Sequence, residues 1–118
     1  MATYSRLLLS GSVSGLPVIV AAIATPGTII HTAVAGAAAW DEIYIWASNV
    51  TAAAAVLTIE WGGAVDPGNL STKAVSIPAN SPPIPIMTGQ VLNGGSVVGA
   101  FCVAGSAINI TGYVNRIA

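Results

Sequence analysis

The chain has six side chains of the types that most often bind metals or act as a general acid or base: one histidine, one cysteine and four carboxylates. They are His31, Asp41, Glu42, Glu60, Asp66 and Cys102. A metal site needs several such ligands close together, and a catalytic base needs a partner within hydrogen-bond reach. The spacing supplies neither, so we predict no catalytic residue, no cofactor-binding residue, no metal ligand and no enzymatic activity.

The adjacent acids Asp41 and Glu42 are the nearest thing to a paired-carboxylate site. Adjacent residues on a strand point to opposite faces of a sheet, so these two carboxylates cannot act on one bond together. We interpret them as a strand entry, or as a rim contact to Arg6, Lys73 or Arg116.

The remaining polar motifs have structural explanations. His31 lies in "TIIHTAV", and we interpret it as a structural residue whose hydrogen bonds are satisfied. Asp66-Pro67-Gly68-Asn69 is a turn sequence, because a calcium loop spaces several carboxylates regularly and this segment has one. Cys102 in "VVGAFCVAG" is the only cysteine, so it cannot form an internal disulfide, and we expect it to be a small buried residue.

The low charge of the chain excludes some classes of partner. Only seven of 118 residues are charged, and the net charge is −1. A polyanion would meet almost no basic surface, so we predict no nucleic-acid binding. The charge-free run 7–40 is interrupted by Pro17, Pro26 and several glycines, and therefore does not predict a membrane-spanning helix. The same interruptions argue against a signal peptide.

Short β-branched segments separated by turn residues run through the whole chain. The strongest strand predictions are 42–48 and 55–61, because both alternate apolar and polar residues. We expect these two strands to pair around the alanine-rich turn between them, and Asn93-Gly94 to form a hairpin turn. The pattern predicts an all-β protein: an antiparallel β-sandwich or jelly-roll-like barrel of about eight strands, forming a single domain over residues 1–118.

Aromatic residues concentrate around those two strands. Tyr44 and Trp46 share one strand face, and Trp61 ends the next strand. Three interpretations stay open for this group: sandwich core, protein interface, or a platform that stacks on sugar rings. The extended, proline-rich segment "NSPPIPIM" offers Ile84 and Ile86 as further interface candidates.

Large uncharged surfaces are typical of subunits that are covered by other copies or other proteins. The segments "TPGTIIHTAV", "WDEIYIWASNVTAAAAVLTIEWGG", "VSIPANSPPIPI" and "ITGYVNRIA" resemble small β-sandwich virion proteins of tailed bacteriophages, of the capsid decoration, cement or minor head type. This resemblance implies a non-enzymatic structural protein on the capsid surface, made in the host cytoplasm. It implies a homo-oligomer, with a trimer favoured, that binds the major capsid protein or another virion protein and stabilises the head.

Two other functions remain open from the sequence. The chain could be a neck, tail or fibre component of a virion, or a carbohydrate-binding β-sandwich module that uses its aromatics as a platform. We expect the tentative interface to include Tyr44, Trp46, Trp61, Ile84 and Ile86. Residues 1–6 are a candidate N-terminal arm that clamps a neighbouring subunit.

Overall fold

A computed structural model describes residues 3–118 of the protein, and these residues form an all-β sandwich of nine strands. In chain order the strands are β1 (Tyr4–Leu8), β2 (Val18–Ile19), β3 (Thr28–Thr32), β4 (Trp40–Asn49), β5 (Ala55–Trp61), β6 (Leu70–Ile77), β7 (Ile84–Leu92), β8 (Val97–Cys102) and β9 (Ile108–Ile117). Within residues 3–118 no helix is long and apolar enough to cross a membrane.

The strands form two antiparallel sheets that pack face to face. Sheet A has the order β1-β9-β4-β7, with β2 also pairing with β9, and sheet B has the order β3-β8-β5-β6. Strands β2 to β9 form four nested pairs, β2 with β9, β3 with β8, β4 with β7, and β5 with β6. The fold-class prediction is confirmed, with one strand more than expected.

Two predicted hairpins are wrong. Strand β4 belongs to sheet A and β5 to sheet B, so the alanine-rich turn crosses between the sheets. The segment with Asn93-Gly94 likewise joins β7 in sheet A to β8 in sheet B. Both glycines that follow Asn93 have positive φ, so the turn residues were recognised and only the connection they make was misjudged.

Asn49 organises the crossing after β4. Its side chain is 1% exposed, and its amide nitrogen donates to the carbonyls of Ala53 and Ile77 at 2.8 and 3.1 Å. Its amide oxygen accepts from the backbone and hydroxyl of Thr51. One buried amide thus satisfies the backbone of a turn whose own side chains offer almost no hydrogen bonds.

The core lies between the sheets and follows the predicted alternation. Ile43, Ile45 and Ala47 of β4 point inward and are fully buried. Leu57 and Ile59 of β5 meet them from sheet B, also fully buried. Cys102 is a buried free cysteine in the same cluster, as predicted.

The N-terminal segment is part of sheet A. From residue 4 it forms β1, which pairs with β9 from Tyr4 opposite Ile117 to Leu8 opposite Tyr113. Thr3 and Ala118 extend this pairing with two backbone hydrogen bonds. Residues 3–6 of the candidate arm are therefore held in the chain's own sheet, and residues 1 and 2 lie outside the described residues.

Candidate functional site: the outer face of sheet A

The structure separates the five predicted interface residues. Tyr44 and Trp46 alternate with the buried residues of β4, so both lie on the outer face of sheet A. Trp61 lies on β5 in sheet B and packs against the core. Ile84 and Ile86 of β7 are also partly buried against the core. The predicted group is thus not one surface, and only Tyr44 and Trp46 share a face.

A third ring joins Tyr44 and Trp46 on that face. Tyr113 of β9 is the register partner of Tyr44, and the two rings lie with centroids 4.8 Å apart and planes 15° apart. Near-parallel rings this close overlap in an offset stack, and the separation matches the spacing of neighbouring strands. Trp46 adds a further ring, 6.0 Å from Tyr113 and 6.5 Å from Tyr44.

The stack covers both faces of the Tyr113 ring. The guanidinium carbon of Arg6, on β1, lies 4.6 Å from the centroid of Tyr113, on the side away from Tyr44. On β7, a Cβ at Gly89 would lie 3.1 Å from the hydroxyl of Tyr44, so the absent side chain leaves room for that ring. The two tyrosines therefore stand side by side across β4 and β9, and the faces of Tyr113 are turned toward Tyr44 and Arg6.

Around this stack the outer face of sheet A carries exposed apolar side chains. Tyr4 is 71% exposed, Leu8 51% and Trp40 45%. Two charged residues lie among them: Arg6 and Glu42 are both register partners of Asn115, one on each side of β9. This face therefore combines large apolar groups with one positive and one negative charge in a single row across three strands.

A second polar cluster lies inside the sandwich and joins its two sheets. Asp41 of β4 is fully buried and accepts two hydrogen bonds from Arg116 of β9, at 2.7 and 2.9 Å. Its carboxylate also lies 2.8 Å from Nε2 of His31 on β3 in sheet B, and accepts from the backbone of Val34. Of the three rim contacts considered for Asp41 and Glu42, the structure shows one between Asp41 and Arg116, and it is buried rather than at the rim.

His31 is held as a neutral structural residue. The backbone N–H of Ser10 donates to Nδ1 at 3.0 Å, so Nδ1 carries no proton and Nε2 is the nitrogen that donates to Asp41. Both ring nitrogens are occupied and the side chain is 2% exposed. In this arrangement His31 has no nitrogen with which to accept a proton from a substrate.

The buried cluster shifts the acid–base properties of its members. Burial alone would raise the pKa of Asp41, but the hydrogen bonds from Arg116 and His31, the positive charge of Arg116 and the Val34 N–H together hold that pKa below its usual 3.8. The hydrogen bond to Asp41 in turn raises the pKa of Arg116. Both side chains thus remain ionised, and the cluster stabilises the fold.

Sequence reasoning missed two members of the aromatic stack. Tyr113 and Arg6 join it only because β9 lies between β1 and β4. The burial of Glu60 was also missed: it is 4% exposed because segment 25–27 covers it. The alternation around Tyr113 in "ITGYVNRI" was a usable signal, whereas nothing in the sequence near Glu60 indicates that segment 25–27 covers it.

Comparison of the chain with protein-family models, with curated proteins and with solved structures gives no match.

Proposed function

We propose that this protein is a non-enzymatic structural subunit that assembles with copies of itself through the outer face of sheet A, in the role of a capsid decoration or cement protein of a tailed phage. The observation that carries the proposal is the composition of that face, on which exposed Tyr4, Leu8 and Trp40 surround a fixed aromatic stack. Apolar surface rich in Tyr and Trp is typical of protein interfaces.

The order of residues across the face suits a second copy. Three rows cross β1, β9 and β4: Tyr4–Ile117–Trp40, Arg6–Asn115–Glu42 and Leu8–Tyr113–Tyr44. A two-fold axis running along β9 between two facing sheets exchanges the two ends of every row. Arg6 of each copy then meets Glu42 of the other, and the aromatic or aliphatic ends of the other rows meet in the same way. The face is therefore self-complementary in charge, as an isologous interface requires.

The area of the face is sufficient for this pairing. Four strands spaced about 4.8 Å apart, with ten-residue central strands, cover roughly 600 Å². A standard interface buries about 800 Å² on each partner, so a sheet A dimer lies at the small end of that range. We expect the dimer to dissociate on dilution, and binding to a capsid lattice to strengthen it by multivalency.

The topology is consistent with a virion role. The nested pairing of β2 to β9 is that of a jelly roll, an architecture used by viral capsid proteins and also by lectins. This is support by analogy of fold, since one fold serves many functions. It fits the phage resemblance of the sequence.

Charge reversal tests the assembly. In size-exclusion chromatography with light scattering, we expect the wild-type chain to form a dimer that Arg6→Glu or Glu42→Arg each weakens at least about tenfold, and that the double reversal restores. Lys73→Glu, which alters an exposed ion pair with Asp66, serves as the control and should leave the mass unchanged. A monomer at every concentration would contradict self-assembly. A trimer whose mass is unchanged by every charge reversal would show that the interface lies outside the outer face of sheet A.

The virion role needs a separate measurement. Mass spectrometry of density-purified phage particles from a culture that carries this gene should detect the chain in many copies per particle. Detection only in the soluble fraction would contradict the role while leaving the self-assembly intact.

The carbohydrate-binding alternative has weaker support from the geometry. Sugar stacking requires aromatic faces open to solvent, and both faces of Tyr113 are covered. Titration of tryptophan fluorescence with a panel of glycans tests it, and a saturable change that Trp46→Ala removes would favour this function over the interface.

A further inference from the structure

Glu60 is a buried carboxylate on the outer face of sheet B. It lies on β5, and segment 25–27 folds over it. Its Oε2 accepts from the hydroxyl of Thr25, and its Oε1 accepts from the backbone N–H of Gly27 at 2.6 Å. Both partners are neutral, so they orient the carboxylate without balancing its charge.

The Lys and Arg side chains are engaged elsewhere. It has three Lys and Arg residues in all. Arg116 bonds to Asp41, Lys73 pairs with Asp66 at 3.0 Å, and Arg6 lies over Tyr113. Among residues 3–118 no ion pair includes Glu60. A buried carboxylate is costly unless a cation accompanies it, so this position favours a positive group supplied from outside.

A cavity of about 220 Å³ opens beside this carboxylate. Apart from Glu60, its walls are small or apolar: Pro26, Gly27, Ile29, Gly63, Ala64, Val97 and Gly99. A Cβ at Gly99 would lie 3.1 Å from Oε1, so the absence of a side chain at this position leaves space beside that oxygen. For scale, a cavity of about 150 Å³ holds a benzene molecule.

We propose that this cavity binds an alkylammonium group, with the ammonium at Glu60 and the alkyl chain against Pro26, Ile29 and Val97. A carboxylate at one end of an otherwise apolar pocket recognises this combination, because the ammonium pairs with the carboxylate and the alkyl chain packs against the apolar walls. The volume fits a chain of about four carbons, which is the length of a lysine side chain. The alkylammonium group would belong either to a lysine of another protein or to a free amine.

The test is an amide NMR titration of the full chain with n-butylammonium chloride. We expect saturable shifts of the Gly27, Gly63 and Gly99 amides with a dissociation constant on the order of millimolar. The uncharged probe 1-butanol should bind at least about tenfold more weakly. Shifts that stay linear to about 50 mM ligand, or that are equal for butanol, would overturn the proposal.

Two variants make the result specific. Glu60→Gln keeps the shape and can keep both hydrogen bonds, so it should lose butylammonium binding while its folding is checked by thermal unfolding. Asp66→Asn is the matched control, because this exposed carboxylate does not line the cavity, and it should bind as the wild type does. Should Glu60→Gln fail to fold, Ala64→Leu fills the cavity from an exposed loop and must also abolish binding. Unchanged affinity in the folded variant would overturn the proposal.

A third probe distinguishes the two sources. N-acetyl-lysine methylamide carries the same ammonium on a peptide backbone. Binding comparable to butylammonium would assign the cavity to a lysine of a partner protein. Butylammonium binding without binding of the lysine derivative would assign it to free amines, and failure of both would overturn the proposal.

Discussion

The carboxylate of Asp41 and the guanidinium of Arg116 face each other across β4 and β9 and share two hydrogen bonds, 2.7 and 2.9 Å long. His31 adds a contact from the opposite sheet, so one carboxylate connects three strands and both layers of the sandwich. Bidentate pairs of this kind are among the stronger polar interactions in proteins. In a chain with so few charges, this carboxylate is a principal polar determinant of how the sheets align.

Asp41→Asn should destabilise the protein strongly. It leaves Arg116 without its anion, and we expect the free energy of unfolding to fall by about 2–4 kcal/mol. Urea unfolding followed by tryptophan fluorescence measures this change. Asp66→Asn is the matched control, because its pair with Lys73 is exposed and should contribute within about 0.5 kcal/mol. Equal effects of the two substitutions would contradict the role of the buried cluster.

The contribution of Asp41 should disappear in acid. A carboxylate whose pKa is lower in the folded than in the unfolded chain stabilises the fold above its unfolded pKa, near 3.9, and this stabilisation is lost as the pH falls through the folded value. The difference in unfolding free energy between wild type and Asp41→Asn should therefore be constant at neutral pH and narrow below about pH 4. Urea unfolding midpoints of both proteins, measured from neutral pH into acid, test whether this difference narrows. A difference that grows in acid would refute it.

Gly112→Ala should separate two central strands. A Cβ at this position would overlap the carbonyl oxygen of Tyr44 on the neighbouring strand. Backbone cannot yield as a flexible side chain does, so we expect a loss of at least about 2 kcal/mol in unfolding free energy. Gly68→Ala is the control, since nothing lies within 4 Å of its Cβ and it should be nearly neutral. Comparable stability of the two variants would argue against close packing of β4 and β9.

The aromatic stack should contribute to stability through its ring at 113. Tyr113→Leu removes the stack with Tyr44 and the contact with Arg6, and we expect a loss of about 1–2 kcal/mol. Tyr113→Phe keeps the ring and should change the unfolding free energy by less than about 0.5 kcal/mol. Both variants are compared by urea unfolding at one protein concentration, because assembly changes apparent stability. A large loss for the Phe variant would assign the effect to the hydroxyl instead.

The strands themselves could be predicted from the sequence, because alternation is a local property. Strand β5 was predicted at its observed bounds, and Tyr44 and Trp46 were correctly assigned to a single face of β4. Pairing between strands was a different matter. Neighbouring segments such as β4 and β5 are expected to pair with each other, but β4 pairs with β7 and β9, and β5 pairs with β6 and β8.

The candidate site depended on that long-range pairing. Tyr44 could be assigned to the same strand face as Trp46, with core and surface left open, but its stacking partner Tyr113 lies 69 positions away and is brought opposite by the β4–β9 register. Trp61 looked equivalent to Trp46 in sequence and lies in the other sheet. Likewise, His31 and Asp41 meet only because their strands belong to facing layers.

Strand β9 is the last in chain order, yet it lies between β1 and β2 on one side and β4 on the other. During synthesis on the ribosome, sheet A therefore lacks its middle until the final strand emerges, and the edge of β4 that β9 will occupy stays open. The same arrangement suits a split protein. A chain that ends after β8 would lack the central strand of sheet A, and a separate peptide of residues 108–117 could supply that strand. If each fragment were fused to a different protein, folding of the complete sheet would indicate that the two proteins had come together.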